Sequence, residues 1–167
     1  MERPERPDRE AELPVGTLTF VFSDIEGSTR LLQALGRAYD SLLETHDRII
    51  RSAAEAEGGR SFGSEGDAQH LVFTEVGAAI RAALAAQRAL ATQAWPEGVT
   101  VRVRMGVHTG EVRRLGDDYV GLSLHETARI AAAGHGGQVL LSAASTELVR
   151  DALPDGISLH DLGEHRL

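Results

Sequence analysis

Thr17-Leu18-Thr19-Phe20-Val21-Phe22-Ser23 runs directly into Asp24-Ile25-Glu26-Gly27-Ser28-Thr29. The first seven residues are β-branched, aromatic or apolar except for one serine, and they predict a buried strand. The next six change character to an acid, a glycine turn and two hydroxyls. Ser28 or Thr29 is suited to cap a helix. Leu31, Leu35, Leu42, His46 and Ile49 then recur at helical spacing as far as Gly58-Gly59, which predicts one helix over that span. A strand that ends in Asp24 and turns into a helix N-terminus sets a carboxylate beside free amide groups. That is a seat for a cation and a phosphate together. The same run also fits an ordinary helix cap with an incidental acid, and spacing by itself does not choose between the two.

Outward from this run, Arg60 to Phe73 predicts a hairpin around Glu65-Gly66-Asp67. Val76, Ile80, Ala83, Leu84 and Leu90 mark a second amphipathic helix ending near Trp95-Pro96, since proline restrains the residue before it. Thr100 to Val107 alternates as a half-buried strand, followed by a polar turn at Gly116 to Asp118. A third helix is expected from about Gly121 to Ala133, then a glycine-rich break and a strand from Gln138 to Leu141. Ser142 caps a short helix ending before Pro154, and Ser158 to Leu167 reads as a last strand. The order is an α+β fold with a ferredoxin-like βαββαβ core, an antiparallel sheet with helices on one face.

A chain of 167 residues fits one domain, expected over 16–167 behind a disordered tail at 1–15 rich in Arg, Glu, Asp and Pro. Without cysteine there is no disulfide or thiolate metal site. No apolar run approaches a membrane span, and the first residues lack a signal-peptide apolar region, so a cytoplasmic protein is expected. Net charge is −8, which argues against nucleic-acid binding by this domain. The chain has no lysine; all 17 Lys-plus-Arg positions are arginine. An anionic substrate therefore needs arginines, amides or cations at its site. The chain stops at Arg166-Leu167 with no terminating signal, and a C-terminal effector domain in a longer protein is an expectation.

Three places carry possible chemistry. The first is the Asp24 to Thr29 run. The second is the hairpin tip, where Gly66 leaves the Asp67 carboxylate accessible. If the hairpin pairs beside the first strand, Asp67 approaches Asp24, and two neighbouring carboxylates invite a divalent cation. A plain turn acid is the alternative. The third is Asp117-Asp118-Tyr119-Val120-Gly121 leading into His125, Glu126 and Arg129. His125 and Arg129 are four apart on a helix and share a face, which suits an anion or simply a solvated surface. His46 lies in the apolar stripe of the first helix and is expected in the core. His108, at a strand end, is expected to make a backbone hydrogen bond. His70, His135, His160 and His165 show no metal-ligand spacing with one another. No Walker A loop, dinucleotide fingerprint or nucleophile elbow occurs.

Taken in order, several motifs resemble the class III adenylyl/guanylyl cyclase family. They are Phe22-Ser23-Asp24-Ile25-Glu26-Gly27-Ser28-Thr29, Gly58-Gly59-Arg60 through Gly66-Asp67, and Arg104-Met105-Gly106-Val107-His108-Thr109-Gly110-Glu111. Asp118-Tyr119-Val120-Gly121, Ala128-Arg129 and Gly134-His135-Gly136-Gly137-Gln138-Val139-Leu140-Leu141-Ser142 complete the set. The resemblance covers nearly all of Leu18 to Leu167 and is nearest to bacterial members at the head of larger signalling or transcription-regulator proteins. It implies two divalent metal ions, Mg²⁺ or Mn²⁺, with Asp24, Ile25 and Asp67 at the metal positions. Ile25, Glu26, Gly27, Ser28 and Thr29 would cradle the triphosphate, Asp118 would accept from the base amine, and Arg129 would stabilise transition-state charge. It also implies a head-to-tail homodimer whose sites lie between subunits.

Two positions depart from the family. The lysine that reads adenine falls at Gly63, and the asparagine that orients the ribose aligns with His125. The resemblance therefore implies a weak cyclase acting on a nucleoside triphosphate, with ATP favoured because Asp118 is kept. The alternative is a degenerate cyclase-like domain that binds nucleotide or dimerises to control an attached effector.

Overall fold

The structure, a computed structural model, describes residues 12–167. Most of the expected tail therefore lies outside the described residues. Glu12 to Val15 run beside the domain, where the Tyr119 hydroxyl donates to the Pro14 carbonyl at 2.7 Å.

The elements are β1 (Gly16–Ile25), α1 (Ser28–Leu35), α2 (Ala38–Ala56), β2 (Arg60–Glu65), β3 (Ala68–Phe73) and α3 (Val76–Thr92). Then come β4 (Val103–Leu115), β5 (Asp118–Val120), α4 (Leu122–Ala133), β6 (Val139–Leu141) and α5 (Ala143–Val149). The strand order β2-β3-β1-β4 is the split βαβ arrangement expected, with every neighbouring pair antiparallel. β5 and β6 both join β4, and β6 does so in parallel, so the whole sheet is mixed rather than antiparallel.

β1 is buried on both sides. Val21 and Ile25 join the core under α2 and α3, while Leu18, Phe20 and Phe22 face a second cluster with Val72, Tyr119 and Ala131. α2 presents Tyr39, Leu42, His46, Ile50 and Ala54 inward, a helical stripe that covers the first face. α3 buries mostly alanines, whose small side chains let it pack closely. α4 covers part of the opposite face, so the expectation of helices on one face holds for α2 and α3 only. Its approach requires Gly106: a Cβ there would lie 2.4 Å from the Ala131 nitrogen.

Several local expectations are corrected. The helix after Asp24 is two helices, because the chain turns at Gly36, whose amide donates to the Leu32 carbonyl. Neither Ser28 nor Thr29 caps it. Gly27 is the cap, in a left-handed conformation (φ 72°), and no side chain bonds to the helix end. α3 ends at Thr92, and the Trp95 indole N–H takes the Leu90 carbonyl that the helix end leaves over. β4 runs well past Val107 because β5, read from the sequence as part of a polar turn, pairs with its extension. Ser158 to Leu167 forms no strand. Both sides of β4 are already paired and every one of these residues is exposed, so neither ladder bonds nor a buried face offset the cost of ordering them.

Candidate active site

Sheet register assembles the site at the C-terminal end of β1. Asp24 pairs in register with Arg104 of β4. Their side chains form a two-pronged ion pair, Nε to Oδ1 and Nη2 to Oδ2, both at 2.7 Å. The pair is about one-third open to solvent, 30% for Asp24 and 27% for Arg104. The turn between β2 and β3 brings in Asp67, whose Oδ2 accepts the Ile25 amide at 2.6 Å. The second carboxylate therefore reaches the first strand as expected. The Arg104 pKa is raised by its hydrogen bond to Asp24, opposed by burial, and raised further by the charges of Asp24, Glu26 and Asp67.

Beside the carboxylates, Glu26 donates its amide to the Arg102 carbonyl at 2.8 Å. The amides of Gly27, Ser28 and Thr29 find no acceptor among the described residues. They form the positive end of α1. Tyr39 lies close enough to feel Asp67 and Asp47. Its pKa is raised by burial first and by those charges second, with a hydrogen bond from Ser28 opposing them.

Among the described residues, no group of three or more His, Asp or Glu side chains is arranged as a metal cage. The donors present nevertheless fit an Mg²⁺-type ion. Such ions take one or two carboxylates and fill the remaining positions with water and substrate phosphate. Asp24, Asp67 and the Ile25 carbonyl are hard oxygen donors. The Arg104 guanidinium already sets positive charge against Asp24.

A second group lies on the same sheet face as Asp24. A bulge at β2 makes Gly63, rather than Phe62, the partner of His70. Phe62 then packs edge-on against Phe20 and Tyr119, at ring distances of 5.8 and 5.0 Å. His70 stacks on Phe22 at 4.1 Å. Asp118 is exposed, its Oδ1 accepting the Tyr119 amide at 2.7 Å. Gly63 and Asp118 are thus brought to one region.

The carboxylates, whose partners are Arg104 and the Ile25 amide, make no bond to His125 or Arg129. Both are exposed on α4, and neither makes a hydrogen bond or ion pair with a described residue. Between them in sequence, Glu126 pairs with His108 Nε2 at 2.7 Å, while His108 Nδ1 meets Ser142 Oγ at 2.9 Å. His108 therefore bonds side chains rather than the expected backbone. His46 is fully buried, as expected.

Two site residues escaped the sequence reading. Arg104 had a signal, being a charge between the buried Val103 and Met105, but its partner depends on register. His70 had none, because its significance comes from Gly63 across the strand pair.

The family whose model is described as the adenylate and guanylate cyclase catalytic domain matches residues 11–167. The chain belongs to this family. An uncharacterised protein of Mycobacterium tuberculosis is 38% identical over 158 residues, covering 92% of this chain and 52% of that protein. The adenylate cyclase of Mycosarcoma maydis is 30% identical over 164 residues, 82% of this chain and 6% of the other. The chain thus spans about half the length of the mycobacterial relative, and a small part of the fungal one. Among solved structures, an adenylate cyclase of Trypanosoma brucei studied in its monomeric state superposes with a TM-score of 0.74 at 25% identity, covering 89% of this chain and 80% of that one. The adenylate/guanylate cyclase/hydrolase of Silicibacter pomeroyi gives 0.77 at 22% identity, covering 91% and 89%, which supports the fold. Among the described residues no helix is long and apolar enough to cross a membrane.

Proposed function

We propose that this chain is a nucleotidyl cyclase that converts a nucleoside triphosphate, ATP by preference, to the 3′,5′-cyclic nucleotide and pyrophosphate. The observation that carries this reading is the meeting of Asp24 and Asp67 beside the unpaired amides of Gly27 to Thr29. Two divalent ions, Mg²⁺ or Mn²⁺, held by Asp24, Asp67 and the Ile25 carbonyl, would supply charge neutralisation and acidify the ribose 3′-hydroxyl. The amides of Gly27, Ser28 and Thr29 hold phosphate oxygens. Arg104 supplies positive charge beside them in a chain whose net charge is −8. The ribose oxygen forms a bond to the α-phosphorus as the bond to the β-phosphate oxygen breaks. The hydroxyl proton is lost to solvent and pyrophosphate departs. Arg129 stabilises the charge that builds on the phosphorus oxygens, and Asp118 accepts from the base amine.

The Arg129 and His125 side chains are exposed and make no bond to Asp24 or Asp67 of their own chain. This supports a head-to-tail homodimer in which each site takes Asp24 and Asp67 from one subunit and Arg129 and His125 from the other. Turnover is slow, because His125 replaces an amide side chain. A cytoplasmic setting and a C-terminal effector in the full-length protein complete the reading. A second reading, a degenerate domain that regulates an attached effector, is favoured by Gly63, which offers no side chain to the base.

The test is complementation. Asp24→Ala and Arg129→Ala are each expected to be inactive, while their mixture regains about a quarter of wild-type cyclisation, since half the dimers carry one intact site of two. A mixture as inactive as its parts would refute the shared site.

A further inference from the structure

We infer that His70 is the residue that reads the nucleotide base, working with Asp118 to select bases whose amine sits at purine C6 or pyrimidine C4. The inference rests on the cyclase reading above and adds to it a specificity residue that the sequence reading set aside.

The argument starts from one cross-strand row. Gly63 of β2 pairs with His70 of β3, which pairs with Phe22 of β1. Residues paired across neighbouring strands share a face, so the three lie side by side on the face that carries Asp24. The imidazole stacks on Phe22 at 4.1 Å and 24°, and Phe62 is 5.9 Å away. These contacts fix the ring plane. A Cβ built at position 63 would be 3.3 Å from His70 Nδ1, so the imidazole borders the space that a side chain at 63 would take.

Half-buried and held in place, the ring has no hydrogen-bond partner among the described residues. A polar ring fixed by aromatic stacking, half open and without a protein partner, is free to bond a ligand that displaces water. The charges facing it are Glu65, at the end of β2, and Asp118. Burial lowers the His70 pKa from 6.5, with Glu65 and then Asp118 opposing. The ring is therefore neutral near pH 7 and offers one N–H donor and one acceptor nitrogen.

A neutral imidazole beside a carboxylate presents a donor next to an acceptor. Adenine matches with N1 accepting from His70 and the 6-amino group donating to Asp118. Cytosine matches with N3 and its 4-amino group. Guanine and uracil place a carbonyl oxygen where Asp118 needs a donor. The Phe62 ring supplies an apolar contact for the base, the combination of edge reading and aromatic packing that base pockets use. The substrate class is thus the nucleoside triphosphates of 6-aminopurine and 4-aminopyrimidine bases.

The experiment measures kcat and KM for ATP and GTP with Mn²⁺, and the Kd for the α,β-methylene analogues of both, which resist cyclisation. It uses wild type, His70→Ala, His70→Gln and Gly63→Ala. His70→Ala is expected to raise the ATP KM, and the Kd of its analogue, about tenfold with kcat little changed, narrowing the preference for ATP. His70→Gln, which keeps a donor and an acceptor, is expected to restore most of it. Gly63→Ala, by crowding Nδ1, narrows the preference without touching the ring. An ATP/GTP ratio unchanged in both His70→Ala and Gly63→Ala would overturn the inference. If His70→Ala does not fold, His70→Gln and Gly63→Ala decide between the same outcomes. Wild type that binds the analogues but cyclises nothing would overturn the cyclase reading alone, leaving the Kd ratios to judge His70.

Discussion

Arg104→Met is the substitution whose consequences the structure sets most sharply. The guanidinium grips Asp24 through two 2.7 Å bonds. With about a third of each side chain open to water, the pair falls between a fully exposed ion pair and a buried charge-assisted one. Its net worth is about 1–2 kcal/mol. Methionine keeps much of the apolar stem and removes the charge. Without metal, the variant is expected to be less stable than wild type by about that amount. A cation that binds Asp24 must compete with the guanidinium, so Mn²⁺ affinity is expected to rise about 5- to 30-fold. At saturating Mn²⁺ this adds about 1–2 kcal/mol of stabilisation. The thermal midpoint of a domain this size moves about 2–4 °C per kcal/mol. The assay is thermal unfolding across a Mn²⁺ titration, with Asp24→Ala as the control that abolishes the response. An equal Mn²⁺-induced shift in wild type and Arg104→Met would refute the reasoning, since Arg104 and the ion would then not share Asp24.

Gly106→Val is expected to cost at least about 1–3 kcal/mol in urea unfolding, because its Cβ would meet the Ala131 backbone, which cannot rotate away. Stability should also depend on pH through His70. Its folded-state pKa lies below the ordinary 6.5, so its contribution is complete above pH 6.5 and is lost as pH falls through the folded value. The urea midpoint should drop more between pH 7.5 and 5.5 for wild type than for His70→Gln; parallel drops would contradict this. His125→Asn is expected to raise kcat several-fold with little change in stability, since His125 is exposed and unpartnered among the described residues. A fall in kcat would show that the histidine has a role of its own.

The local grammar of the chain carried much of the fold. The seven-residue run into Asp24, the Gly66 turn and the Ser142 cap each specify an element through their own residues, and each forms as expected. Ser142 Oγ accepts the Ser145 amide. What the sequence left open depends on pairing. β5 is a strand only because β4 extends past Gly110 to meet it. Ser158 to Leu167 reads as a strand yet stays exposed and pairs with no strand among the described residues. The site divides the same way. Asp24 and Asp67 could be named from turn chemistry, and their proximity followed from the hairpin. Arg104 and His70 acquire meaning only from the residues opposite them, Asp24 and Gly63, and the bulge at Phe62 that aligns Gly63 has no marker in composition or spacing.

The central claim is that the carboxylates at the end of β1 support cyclisation. It is tested most directly by incubating the purified chain with Mn²⁺ and each of ATP, GTP, CTP and UTP, and identifying products by mass spectrometry beside Asp24→Ala. The account predicts a 3′,5′-cyclic nucleotide, formed fastest from ATP and absent with Asp24→Ala. Cyclic product undiminished in Asp24→Ala, or none from any nucleotide that the wild type binds, would contradict it.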